Sequence, residues 1–102
     1  MKVFNKLVRD KIPEKIIAEG RISKTRYLDD NEYKIELDKK LQEEVKEYIQ
    51  DDNIEELADI VEVIYAILDA KKISIEELEK VRLKKVEKNG AFKQKIFLES
   101  SE

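Results

Sequence analysis

The sequence contains no cysteine and no histidine. The first absence excludes a disulfide, a thiolate nucleophile and a zinc–thiolate site. The second excludes an imidazole base and with it a Ser-His-Asp triad. Chemistry is left to Asp, Glu, Lys, Arg, Tyr, Ser and Thr, and the carboxylates among these favour hard cations such as Mg²⁺, Mn²⁺ or Ca²⁺. No apolar stretch approaches membrane-spanning length, and residues 1–6 lack the apolar run of a signal peptide. The expectation is a cytoplasmic protein with no membrane partner. A formal net charge of -3 is too small, and of the wrong sign, for a nucleic-acid coat.

What is present is charge carried on a helical pattern. Charged residues make up 44% and hydrophobic residues 41% of 102 residues, enough for one domain with a modest core. Chains of this size often gain stability by pairing with a copy of themselves. The scarce glycines and the single proline punctuate the pattern. Asp10 is placed to cap a first helix over about 11–19, with Pro13 tolerated in its first turn and Gly20 at its stop. Residues 21–28 have no helical period and read as extended. Asp29 followed by Glu32 opens a second helix over about 30–50, and Asp51-Asp52-Asn53 forms a tight connection to a third over about 54–71. Ser74 with Glu77 is a capping box for a fourth helix ending near Asn89-Gly90. The tail, 91–98, has the pattern of a short strand that could pair with 21–28. The fold class is all-α, as a single domain.

The candidate chemistry lies around the tight connection. Residues three apart share a helix face, so Glu44 and Glu47 are neighbours, as are Glu56 and Asp59. Both pairs are symmetric about the reversal, which sets Glu44 level with Asp59 and Glu47 level with Glu56 in a regular hairpin. Most glutamates in so charged a chain are solvated surface. Glu44 differs, because it falls inside the apolar stripe formed by Leu37, Leu41, Val45 and Tyr48. A carboxylate there is costly unless it is paired with a base or bound to metal. The third helix is apolar almost all round from Leu57 to Leu68, where Asp59 and Glu62 are its only charges, so it should be buried on most sides. Asp59 is open to two readings, an ion-paired buried acid or a metal ligand. Crowded acids also repel, raise one another's proton affinity and favour a divalent cation.

Glu43-Glu44-Val45-Lys46-Glu47 with Glu56-Leu57-Ala58-Asp59 resembles the E-E-x-x-E and E-x-x-D signature of the MazG-like, all-α nucleoside triphosphate pyrophosphohydrolases. The gap between the two motifs is short for that superfamily. Lys6-Leu7-Val8-Arg9-Asp10-Lys11-Ile12-Pro13 and the tail around Lys88-Asn89-Gly90-Ala91-Phe92 and Lys95-Ile96-Phe97-Leu98 are similar to a short prokaryotic subgroup labelled phosphoribosyl-ATP pyrophosphohydrolase-like. Asn89 and Ala91 depart from the subgroup's basic residue and glycine. The resemblance implies that Glu44, Glu47, Glu56 and Asp59 bind Mg²⁺, with Mn²⁺ as a substitute. It implies that water attacks the α-phosphorus of a nucleoside triphosphate and that pyrophosphate leaves. Without histidine the base should be a carboxylate, Glu47 or Glu43. Lys6, Arg9, Lys11, Arg82, Lys85 and Lys88 are the candidate polyphosphate ligands, each balanced against a role as a solvated surface cation. The family assembles as dimers or tetramers, which implies a helical bundle completed across a homo-oligomer interface. The rivals are phosphoribosyl-ATP hydrolysis in histidine biosynthesis and a non-catalytic helical dimerisation module.

Overall fold

The computed structural model describes residues 2–102 and is all-helical, with α1 at Ile12–Ala18, α2 at Asp30–Asp51, α3 at Ile54–Ala70 and α4 at Ile75–Asn89. The expected caps at the starts of α2 and α4 are made. The Asp29 carboxylate accepts from the Glu32 amide at 2.8 Å, and the Ser74 hydroxyl oxygen accepts from the Glu77 amide at 3.1 Å. Asn53 performs the same task for α3, accepting from the Glu56 amide at 3.0 Å. Asp10 does not cap α1: Lys11 holds the N-cap position with no side-chain bond, and the start is closed by the Ile12 amide donating to the Arg9 carbonyl at 3.1 Å. Asp10 lies one residue too early to reach the free amides of the first turn.

Two helices end in the same way with different residues. At α1, the Arg21 amide donates to the Ile16 carbonyl and the Gly20 amide to the Ile17 carbonyl, with Gly20 at φ +77°. This is a Schellman ending, in which glycine supplies the left-handed residue without a Cβ clash. At α3 the Ile73 amide donates to Leu68 and the Lys72 amide to Asp69, and here Lys72 takes φ +59°.

Among the described residues there is no strand, so the expected pairing of 21–28 with 91–98 does not form. Ile22, Tyr27, Phe92 and Phe97 are almost fully exposed, and a two-stranded pair with neither face covered is marginal in water. Among the described residues, only α2 and α3 pack extensively on each other. Between them Leu37, Val63 and Leu68 are buried, together with Glu44. The buried line of α2 runs through Glu44 rather than through Val45, which is exposed. Nor is α3 buried on most sides: Ile54, Leu57, Val61 and Tyr65 form a stripe open to solvent, and α4 is exposed along its whole length.

The outcome is an elongated chain measuring 60 × 31 × 24 Å. Its radius of gyration is 18.1 Å, against about 13 Å for a compact domain of this length. No helix among the described residues is long and apolar enough to cross a membrane.

Candidate metal centre

The reversal between α2 and α3 is made by two residues. Asp52 adopts the left-handed conformation, φ 51° and ψ 49°, and its amide donates to the Tyr48 carbonyl at 2.8 Å. Asn53 then caps α3. So short a joint makes the helices antiparallel neighbours and brings the last turns of α2 against the first turns of α3. Carboxylate oxygens of Glu43, Glu44 and Glu47 come within 4.8 Å of one another, and so do those of Glu44, Glu56 and Asp59. Glu44 belongs to both groups and joins them. The convergence follows from helix periodicity on each side of the joint, because i and i+3 positions share a face.

Burial is uneven across the cluster. Glu44 is only 6% exposed, while Glu43, Glu47, Glu56 and Asp59 are half-buried. Burial pushes the Glu44 carboxyl above its ordinary value, with the Lys40 ammonium opposing and the neighbouring Glu47 adding to the rise. Burial also raises Glu56, and the nearby charges of Asp51 and Asp59 push it further up. For Glu43 burial acts upward too, but the ammonium groups of Lys6 and Lys40 outweigh it and hold the carboxyl below its ordinary range. Both of its oxygens are engaged: Lys6 Nζ donates to Oε1 at 3.2 Å and Lys40 Nζ to Oε2 at 3.4 Å.

Two more ion pairs enter the cluster. Lys40 Nζ lies 3.3 Å from Glu44 Oε1, and Arg9 donates to Asp59 Oδ1 at 2.6 Å. Even so, Glu44 Oε2 and Glu56 Oε2 are buried and accept no hydrogen bond. Orphaned buried carboxylate oxygens are expensive. The five carboxylates face three cations, and Asp51 adds its charge beside Glu56, so full ionisation leaves a negative excess that a divalent ion would offset. The donor set is all oxygen, which suits Mg²⁺ or Mn²⁺.

The remaining candidates divide. Lys6 and Arg9 reach the cluster from the N-terminal segment, across 37 and 50 positions of sequence. Lys11 forms no salt bridge among the described residues and sits at the N-cap of α1. Within one chain Arg82, Lys85 and Lys88 are not brought to the acids. They lie on α4, which does not pack extensively on the hairpin, and Arg82 is held by Glu79 one turn away, its Nε donating at 2.9 Å. Lys40 was not among the sequence candidates, yet it touches two acids of the cluster. Its signal was the spacing, three residues before Glu43 and four before Glu44.

Fold and site together define an all-helical chain carrying a carboxylate cluster at one helical reversal. No family model matches the chain, and no solved structure matches it. An uncharacterised protein of Mycolicibacterium smegmatis is 58% identical over 41 residues, which are 40% of this chain. The chain's match spans 42% of that relative's length.

Proposed function

We propose that this protein is a Mg²⁺-dependent nucleoside triphosphate pyrophosphohydrolase of the MazG-like class, releasing a nucleoside monophosphate and pyrophosphate. The observation that carries the reading is the pair of carboxylate groups at one reversal, Glu43 and Glu47 on one side of Glu44 and Glu56 and Asp59 on the other, with Glu44 Oε2 and Glu56 Oε2 buried and unpartnered. Glu44, Glu47, Glu56 and Asp59 would hold the ion. Mg²⁺ bound there would supply Lewis acidity toward the phosphoryl oxygens and a lower pKa for the attacking water. Glu47 is the base of choice, since both oxygens of Glu43 are occupied by Lys6 and Lys40. Glu43 instead pairs with those two ammonium groups beside the cluster. Arg9 and Lys6 face the site with exposed side chains, and their charge opposes that of a polyphosphate.

The same reading includes a homodimer. The three apolar side chains buried among the described residues are too few to hold four helices, while Ile54, Leu57, Val61 and Tyr65 on α3 and Ile75, Leu78, Val81 and Val86 on α4 stand exposed at helical spacing. A second copy of the chain covers these stripes and completes the bundle. The exposed length of α4 equally favours a second reading, a helical dimerisation module whose acids do no chemistry.

The two readings differ in their response to Mg²⁺. Pyrophosphate release is scored over canonical and damaged nucleoside triphosphates and phosphoribosyl-ATP, with thermal unfolding followed in parallel. Glu44→Gln and Asp59→Asn are expected to lose about a hundredfold or more in turnover, together with stabilisation by Mg²⁺. Normal hydrolysis in both variants overturns the assignment of the site to these acids, whereas no hydrolysis by the wild type removes the enzymatic reading and leaves the dimerisation module.

A further inference from the structure

The N-terminal segment reaches the acid cluster through two ion pairs. Residues 2–9 have no helix or strand, and of these only Leu7 is even half-buried. Yet this segment delivers Lys6 to Glu43 at 3.2 Å and Arg9 to Asp59 at 2.6 Å. The side chains of Lys6 and Arg9 remain 43% and 56% exposed. An arginine has five N–H donors, and one contact to Asp59 accounts for few of them. Lys40 contrasts with both: it belongs to α2, lies within one turn of Glu43 and Glu44, and its side chain is 18% exposed. Lys40 is a counter-charge built into α2, whereas Lys6 and Arg9 reach the acids from an exposed segment outside any helix or strand.

We propose that Arg9 and Lys6 compete with the divalent cation for the cluster's carboxylates, and that metal binding transfers the two side chains to the polyphosphate. The proposal rests on the metal-dependent reading above. Its independent support is Glu44, more than nine-tenths buried with Oε2 unpartnered, which belongs to both carboxylate groups and so lies among the acids that Arg9 and Lys6 pair with. Asp59 Oδ1 cannot serve Arg9 fully and a cation fully at the same time, because each takes charge and lone pairs from the same carboxylate. A cation settling among Glu44, Glu56 and Asp59 weakens the hold on Arg9. The released guanidinium then faces a triphosphate with its bidentate fork free. Lys6 responds in the same sense through Glu43, but less strongly, as Glu43 lies beside the four ligands and is not one of them.

The device predicts effects of opposite sign. Removing Arg9 removes a competitor of the metal and a partner of the phosphate. Mn²⁺ binding to the full chain is measured by titration calorimetry and electron paramagnetic resonance, without nucleotide. Inorganic pyrophosphate binding is then measured at saturating Mn²⁺. Arg9→Gln is expected to bind Mn²⁺ about two- to fivefold more tightly and pyrophosphate more weakly by at least as much. Lys6→Gln is expected to shift both in the same directions by less, and circular dichroism checks that each variant keeps its helices. If wild-type protein binds Mn²⁺ but Arg9→Gln binds it equally or more weakly, the competition is overturned and the metal site stands. If Arg9→Gln tightens Mn²⁺ without loosening pyrophosphate, the transfer to phosphate is overturned. If wild-type protein binds no Mn²⁺, this inference and the metal-dependent function fall together.

Discussion

Leu37 on α2 is 3% exposed and Val81 on α4 is 55% exposed, although both sit on helices opened by well-made side-chain caps. The hairpin of α2 and α3 buries its apolar line, and in doing so draws Glu44 inside. The fourth helix is no less regular but buries nothing within its own chain. A cap decides where a helix begins, and tertiary contact decides whether it persists, since isolated helices of about 15 residues are marginal in water. The contrast separates the acid-bearing reversal, which packs within one chain, from α4, whose apolar side chains stay exposed.

Substitution is the strongest way to break the comparison. Leu37→Ala should cost about 2–5 kcal/mol, as for other buried leucines, measured by denaturant unfolding. Val81→Ala should cost about 1 kcal/mol at concentrations where the chain is dimeric and almost nothing on dilution. Equal costs at every concentration would mean that α4 has no partner copy.

The second contrast is one of charge. Glu44 and Glu56 are raised by burial, so the folded state binds more protons than the unfolded chain above the ordinary carboxylate value of 4.5. Their contribution therefore falls as pH rises through and beyond that value, when a chelator keeps divalent ions away. Glu43 is lowered, and its contribution is present above the ordinary value and lost as pH drops below it. Stabilisation by Mg²⁺ has the opposite slope to that of Glu44 and Glu56, because the ligands must be ionised to bind. Thermal unfolding with chelator and with Mg²⁺, between about pH 5 and 8, should show curves that diverge upward with pH by about 2–3 kcal/mol at saturation. In Glu44→Gln the divergence should largely vanish.

The smallest effect sharpens the contrast between the two Schellman endings. Gly20 takes its positive φ at no steric cost, whereas Lys72 is held at φ +59° against its Cβ. Lys72→Gly is expected to stabilise by about 0.5–1 kcal/mol, read as a melting temperature a few degrees higher.

Much of the hairpin was legible because it depends on local rules. Asp29, Ser74 and the short reversal follow from capping and turn chemistry, and the meeting of Glu44 with Asp59 follows from counting along two helices. The capping role of Asp10 failed by one position, where the Arg9 carbonyl closes the turn instead. The strand pairing failed because extended, apolar-rich segments mark only a preference, and nothing in the chain covers them. Lys40 was legible in principle, since i+3 and i+4 spacing is visible in any helix. Among so many lysines, its burial beside Glu44 was not. The contacts of Lys6 and Arg9 span 37 and 50 positions, and no local rule specifies such a distance. The place of α4 was illegible for a further reason: among the described residues no extensive packing fixes it, and its apolar side chains stay exposed.

The joint at Asp52 and Asn53 has a consequence for the order of assembly. Every acid of the cluster lies between residues 43 and 59, so bringing them together closes only a very short loop, for which the entropic cost is slight. The ligand set can thus be complete while the segments at either end are still searching for their places, and an ion captured at that stage would clamp the two helices first. The acid cluster of the finished protein would then also be the seed from which the chain organises itself.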